Sequence, residues 1–197
     1  MKVVLASNNP AKLHELDAVL CPMGWELVAQ GDLGVPEAEE TGTTFEANAL
    51  LKARHAAART GLAALADDSG IEVDALDGRP GVYSARYAGP QCDDEANNRL
   101  LLQELEGVPE QRRGARYQCV IALVRTAEDP DPLIARGVWE GRILKAPQGH
   151  NGFGYDPLFY VPTHGCASAE LEPDVKNGIS HRGAALRALI EHLQAGA

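Results

Sequence analysis

The order of its apolar runs constrains this chain more than any other feature of the sequence. Strand-length runs alternate with helical segments over the first half, and two long strand-length runs then follow back to back. Residues 2–6 (KVVLA) end in the turn formers Ser7, Asn8 and Asn9, which predicts a short buried strand. Pro10 falls at the first position of a helix with Asn9 as its N-cap, and Leu13, Leu16, Val19 and Leu20 give that helix one apolar stripe. A second strand is expected at 25–30 (WELVAQ), and the Gly-, Pro- and Glu-rich residues 31–42 read as a loop. Thr43 and Glu46 fit a capping box for a helix running to about Arg59, with Gly61 as its stop. Two short strands, 62–67 (LAALAD) and 71–76 (IEVDAL), flank Asp68-Ser69-Gly70, and 94–106 is helical with Leu100, Leu101, Leu102 and Leu105 on its core face. Strands at 115–126 and 133–144, joined by AEDPDP, are expected to pair as an antiparallel hairpin, and a last helix begins near Ser180 and passes through Leu193. Helix–strand alternation followed by a hairpin predicts an α/β protein with a mixed sheet. Repeats, low-complexity tracts and linkers are missing, so residues 1–197 read as a single domain.

Composition narrows the function classes. Hydrophobic residues make up 45% of the chain and charged residues 23%, enough apolar surface to offset chain entropy. No window approaches the roughly 18 apolar residues of a membrane span, and the apolar run in MKVVLASNNPAK is too short for a secretory signal. Four cysteines (Cys21, Cys92, Cys119, Cys166) are widely spaced without a C-x-x-C pair. They read as incidental or buried thiols of a reducing cytoplasm, not as a zinc site or disulfide frame. A net charge of −10 opposes duplex nucleic acid as a partner, because phosphate-backbone binding needs a broad basic face. A small phosphorylated ligand remains compatible, since a few Lys and Arg with a divalent cation can hold a polyanion on an acidic protein.

Five segments carry chemistry. Ser7-Asn8-Asn9-Pro10-Ala11-Lys12 opens a helix, where free backbone N–H groups and the dipole favour phosphate; an ordinary N-cap with a solvated lysine is the alternative. Phe45, Asn48, Ala49 and Lys52 share one helix face. Asn48 and Lys52 therefore either snorkel to solvent or line a cleft, and the spacing favours snorkelling. Asp67-Asp68-Ser69-Gly70 ends an apolar strand; adjacent carboxylates resist joint ionisation without a nearby cation, which suits a hard divalent metal, although an Asp-capped turn fits too. Glu40 could supply another oxygen, whereas Glu37 and Glu39 read as a solvated face. In Gly152-Phe153-Gly154-Tyr155-Asp156-Pro157 the glycines allow close backbone approach and Phe153 offers a flat surface to a base, or else a core Phe in a bulge. Lys176, Ser180, His181 and Arg182 gather just before and at the start of the last helix, a donor-rich site for carbonyl or phosphate oxygens. His14, His55, His150, His164 and His192 have no metal-ligand spacing.

These segments and one further motif, P-G-x-Y-S-A-R-Y, occur in one order: S-x-N-x-x-K, E-E-T-G-x-T-F-x-x-N-A-x-x-K-A, A-D-D-S-G, P-G-x-Y-S-A-R-Y, G-F-G-Y-D-P and S-H-R-G. From Val3 to about Leu193 the chain resembles the inosine triphosphate pyrophosphatase family, the noncanonical purine NTP pyrophosphatases that act on dITP and XTP. The resemblance implies an elongated, two-lobed α/β fold around a long mixed sheet with flanking helices and an active-site cleft between the lobes. It implies Mg²⁺-dependent hydrolysis of ITP, dITP and XTP between the α- and β-phosphates, by a cytoplasmic homodimer that clears such nucleotides from the pool.

Carried onto this sequence, the family pattern implies that Ser7, Asn8, Asn9, Pro10, Ala11, Lys12 and Lys52 hold the triphosphate. Glu40 and Asp68 would bind Mg²⁺, with Asp67 beside them and Asp68 taking the proton of the attacking water. Ser69 would touch phosphate or sugar, Phe153 would stack on the base with Gly154, Tyr155 and Asp156 completing that wall, and Lys176, His181 and Arg182 would read the base edge. A nucleotide-binding module without catalysis would need a damaged site, yet Lys12, Lys52 and Asp68 are all present.

Overall fold

The computed structural model describes residues 1–195, with the side chains of Ala11 and Glu15 outside the description. Its strands are β1 (Lys2–Leu5), β2 (Glu26–Ala29), β3 (Ala63–Val73), β4 (Gly114–Val124), β5 (Leu133–Ile143), β6 (Phe159–Val161) and β7 (Cys166–Ala167). Its helices are α1 (Pro10–Leu20), α2 (Phe45–Thr60), α3 (Asp94–Glu104), α4 (Pro173–Ile179) and α5 (His181–Ala195). One mixed sheet runs in the order β2-β1-β3-β4-β5-β6-β7. Pairing is parallel for β1 with β2 and β3, and antiparallel for β5 with β6 and β6 with β7. Among the described residues no helix is long and apolar enough to cross a membrane.

The chain forms two compact units. The first takes Met1–Asp68, Val120–Arg136 and the residues from Ala185 onward. Val3, Val4 and Leu5 are fully buried, as a parallel strand covered on both faces requires. The chain travels from β1 through α1 to β2, then through α2 to β3 on the far side of β1. Because both crossovers are right-handed by rule, α1 and α2 lie on opposite faces of these parallel strands. Ala49, Ala53, Ala56 and Ala57 form the buried face of α2, small side chains that let a helix approach closely.

The second unit takes Ser69–Cys119 and Gly137–Ala184. Ile71, Val73, Leu101, Leu105, Tyr117, Trp139, Leu158 and Phe159 belong to one continuous apolar cluster. Arg113 is an unusual buried residue of this unit, nearly sealed from solvent and donating to the carbonyls of Ile143 (2.8 Å), Leu105 (2.9 Å) and Leu144 (2.8 Å). The guanidinium thus ties the end of α3 to the end of β5.

Several sequence expectations are corrected. The N-cap of α2 is Thr44, whose hydroxyl accepts the Ala47 N–H at 3.1 Å, so Thr43 and Glu46 make no capping box. Glu46 pairs instead with Arg136. The two short strands expected on either side of Asp68-Ser69-Gly70 are one strand, β3. Pairing along the sheet overrides the turn propensity of these residues. Pro173 at the first position starts a separate short helix, α4, ahead of the last one. The expected hairpin is present: β4 and β5 are neighbours joined by residues 125–132. A parallel return along an 11-residue strand would span roughly 35 Å, beyond the reach of so short a connection.

Replacing Arg113 by methionine should lower the unfolding free energy by about 3 kcal/mol, because three buried carbonyls lose their donor. Urea denaturation should show a lower midpoint at unchanged slope; a change under about 0.5 kcal/mol would mean that water or backbone shifts replace the clamp.

Candidate active site

The first unit gathers charge just beyond the carboxyl end of β1, at the middle of β3. The chain reverses its direction across the sheet at β1, with β2 on one side and β3 on the other, and such a reversal is where open α/β sheets hold ligands. Ser7 leaves β1 and its hydroxyl accepts the Asn9 N–H at 3.1 Å. The Asn9 carboxamide oxygen accepts the Lys12 N–H at 3.3 Å, which caps α1, and Pro10 sits at the first helical position. Asn8 donates to Glu37 at 3.1 Å, so Glu37 is tied to the start of α1 and is not a purely solvated residue. Ala11 lies in the first turn of α1, its side chain outside the described residues.

Asp67 and Asp68 are buried in β3 at 5% and 8% exposure. Consecutive strand residues point to opposite faces, and each carboxylate meets a lysine from a different helix. Lys12 of α1 lies 2.9 Å from Asp67 Oδ1. Lys52 of α2 lies 3.2 Å from Asp68 Oδ1 and 2.8 Å from Glu40 Oε1. A lysine in the first turn of a helix opposes the dipole; the Asp67 carboxylate compensates it.

Burial works against the charged form of Lys52, but the carboxylates of Asp68, Asp67 and Glu40 outweigh it and hold its pKa above the ordinary lysine value. Burial pushes the Asp68 carboxyl upward and Glu40 adds to that; Lys52 and Asn48 pull it down without cancelling the rise. Asp68 Oδ2 is buried without a hydrogen-bond partner among the described residues.

Asn48 and Lys52 do not snorkel. Asn48 is fully buried, its carboxamide oxygen accepting the Gly42 N–H at 2.8 Å. A side chain at residue 42 would collide with that oxygen, which explains the glycine in the E-E-T-G segment. Asn48 is a site residue that the sequence reading did not assign. Its only signal was a polar residue on an apolar helical stripe.

The second unit holds the remaining candidates. Asp156 is buried and organises its neighbours. It accepts the Phe153 N–H at 2.9 Å and the Ser168 hydroxyl at 3.0 Å, and it pairs with Lys176. Gly152 has φ +77°, and any side chain there would overlap the Asp156 carboxylate. Phe153 is not a core residue: its ring is 65% exposed with Lys176 Nζ 5.1 Å from its centroid.

Gly154 is held at both ends, its N–H donating to Asp94 at 2.7 Å and its carbonyl accepting from Asn98 at 2.8 Å. Tyr155 is turned into the core and its hydroxyl donates to the Ser84 carbonyl at 2.7 Å. It therefore anchors the segment, and its ring is not part of an exposed wall. The Ser84 hydroxyl in turn takes the Ile71 N–H at 2.9 Å, so the P-G-x-Y-S-A-R-Y motif supports this segment from beneath. Ser69 is half-buried in β3. Ser180 caps α5 by accepting the Gly183 N–H at 3.2 Å, and His181 and Arg182 follow in the first turn, both partly exposed. Among the described residues no group of His, Cys, Asp and Glu forms a three-ligand metal set, and all four cysteines are free thiols.

A family model described as the Ham1 family matches residues 3–192 of this chain. The chain is 57% identical to a dITP/XTP pyrophosphatase of Thioalkalivibrio sulfidiphilus over 194 residues, covering 98% of this chain and 99% of that one. It is 54% identical to the dITP/XTP pyrophosphatase of Vibrio cholerae over 193 residues, covering 98% and 96%. Among solved structures, a HAM1 protein from Coxiella burnetii superposes with TM-score 0.96 at 50% identity over 99% of both chains. The Staphylococcus aureus Ham1 protein does so with TM-score 0.93 at 38% identity over the whole of both.

Replacing Lys52 by methionine leaves Glu40 and Asp68 without their shared cation. In metal-free buffer at pH 7 the stability loss should be about 3 kcal/mol. It should shrink as pH falls toward 4, because a carboxyl whose folded pKa is raised stabilises the folded state only while protonated. A loss that stays constant from pH 4 to pH 8, measured by chemical denaturation, would contradict this electrostatic assignment.

Proposed function

From one premise, that this chain belongs to the Ham1 family, we propose a reaction for the two side-chain clusters. The chain is a nucleoside triphosphate pyrophosphatase of the dITP/XTP type. In the reaction proposed, water attacks the α-phosphorus of dITP, ITP or XTP, the α–β anhydride bond breaks, and nucleoside monophosphate and pyrophosphate leave. The observation that carries this reading is the charge cluster on β3: two lysines on three carboxylates, with Asp68 Oδ2 buried and unpartnered.

Phosphoryl transfer depends on positioning and on neutralising charge at phosphate oxygens. Lys12, Lys52, Ser7 and Asn9, with the N–H groups that open α1, are the donors such a polyanion needs. Lys52 would exchange Glu40 and Asp68 for phosphate oxygens when substrate enters. Mg²⁺ fits the carboxylates this leaves: hard oxygen donors, one with an open acceptor, in the small number that this ion accepts when substrate phosphates and water complete its shell. When bound by Glu40 and Asp68, the ion would neutralise phosphate charge and make water more acidic. In this proposal Asp68 would take the proton of the attacking water.

The second cluster supplies base recognition in this proposal. The exposed Phe153 ring offers a stacking face, and Lys176, His181 and Arg182 are donors suited to the 6-oxo group of hypoxanthine or xanthine. Adenine presents a 6-amino donor there and would leave those groups unpaired, a mismatch that can discriminate by roughly 10⁴-fold. Removal of such nucleotides before their incorporation, by a cytoplasmic homodimer, belongs to the same proposal.

With dITP and Mg²⁺, pyrophosphate and the monophosphate should appear together in equal amounts; orthophosphate as the first product would contradict the reaction. Asp68→Asn should lower kcat by about 10²–10⁴-fold with a much smaller effect on KM. Near-normal turnover would remove Asp68 from the proton-accepting role.

A further inference from the structure

One side chain that no motif marks lies flat against the His181 imidazole of the second unit. Tyr117 lies in β4, buried within the apolar core. Its ring is stacked on the imidazole of His181, centroids 4.7 Å apart and planes within 9°. Trp139 also lies nearly parallel to that imidazole, at 6.4 Å and 16°. Phe159 braces Tyr117 from another direction at 4.7 Å.

We propose that Tyr117 is a positioning residue for base recognition: its ring fixes the plane of His181. The inference rests on the reading of His181 as a base-facing residue. His181 is the first residue of α5 and partly exposed, so an unsupported imidazole there would sample several rotamers and lose that freedom on binding. An aromatic face beneath it removes most of the loss beforehand, which is how a supporting layer sharpens a recognition group. Burial pushes the Tyr117 hydroxyl pKa well above the ordinary tyrosine value, so the ring beneath His181 stays neutral across the working range.

Ring and hydroxyl can be removed in turn. The experiment measures kcat and KM on dITP and dATP for the wild type, Tyr117→Phe, Tyr117→Leu and His181→Ala, with histidine-ring NMR spectra of each. Tyr117→Phe keeps the stack; it should leave the His181 ring protons at their ring-current-shifted positions and preserve the dITP-to-dATP ratio of kcat/KM.

Tyr117→Leu should move the His181 signals toward those of free histidine and reduce the ratio toward that of His181→Ala, by about tenfold or more. If Tyr117→Leu retains the wild-type ratio while His181→Ala loses it, the role of Tyr117 is overturned and the base reading stands. If His181→Ala itself keeps the ratio, the base reading fails and this inference with it. Should Tyr117→Leu not fold, the wild-type spectrum decides, because His181 ring protons without a ring-current shift would overturn the stack.

Discussion

Two buried carboxylates side by side on one strand are stable only if each is given a cation, and this requirement shapes the first unit. Asp67 and Asp68 leave β3 in opposite directions, so a single helix could not serve both. The crossovers that bring β2 and β3 to either side of β1 put α1 and α2 on opposite faces, and each helix delivers one lysine. Unpaired, such charges would carry desolvation costs of several kcal/mol each. Paired, they form a preorganised set in which three carboxylates exceed two ammonium groups by one negative charge. That arrangement suits a polyanion only when a further cation arrives with it, which is why the metal and the substrate are treated together in the proposal.

The second unit solves a different problem with different parts. The proposed recognition of a neutral heterocycle would need a flat apolar surface and directed donors in fixed orientations, both accessible. Phe153 is exposed, and buried neighbours hold its segment. Asp156 ties its N–H and Lys176, Tyr155 reaches back to Ser84, and Asp94 and Asn98 fix Gly154. Aromatic rings beneath His181 continue directly into the apolar core. Orientation at the surface is thus derived from packing inside.

Much of this was readable from the chain. Period and punctuation found every long helix and the hairpin, because Pro10, Gly61 and the AEDPDP joint act through local sterics. The motif residues were identified by their order along the sequence, and Lys12, Lys52 and Lys176 each meet a carboxylate in space. Other features were hidden for physical reasons. Helical spacing placed Asn48 and Lys52 on one face but could not reveal that distant carboxylates and the Gly42 N–H would satisfy them there. Asp68-Ser69-Gly70 has turn composition, and only the neighbouring strands of the sheet keep it extended. The Thr43 and Thr44 hydroxyls are equivalent until the chain's entry angle selects one. Tyr117 resembled any strand aromatic, since the imidazole it stacks on lies more than 60 positions away.

The central claim is that the ammonium groups held by Asp67, Asp68 and Glu40 are the ones that receive the phosphates. Calorimetric titration of Mg²⁺-pyrophosphate into the wild type and into Lys12→Met tests it without requiring turnover. Loss of one charge-assisted contact should weaken binding by about tenfold or more. Equal affinity in the two proteins would place the phosphates elsewhere and contradict the account.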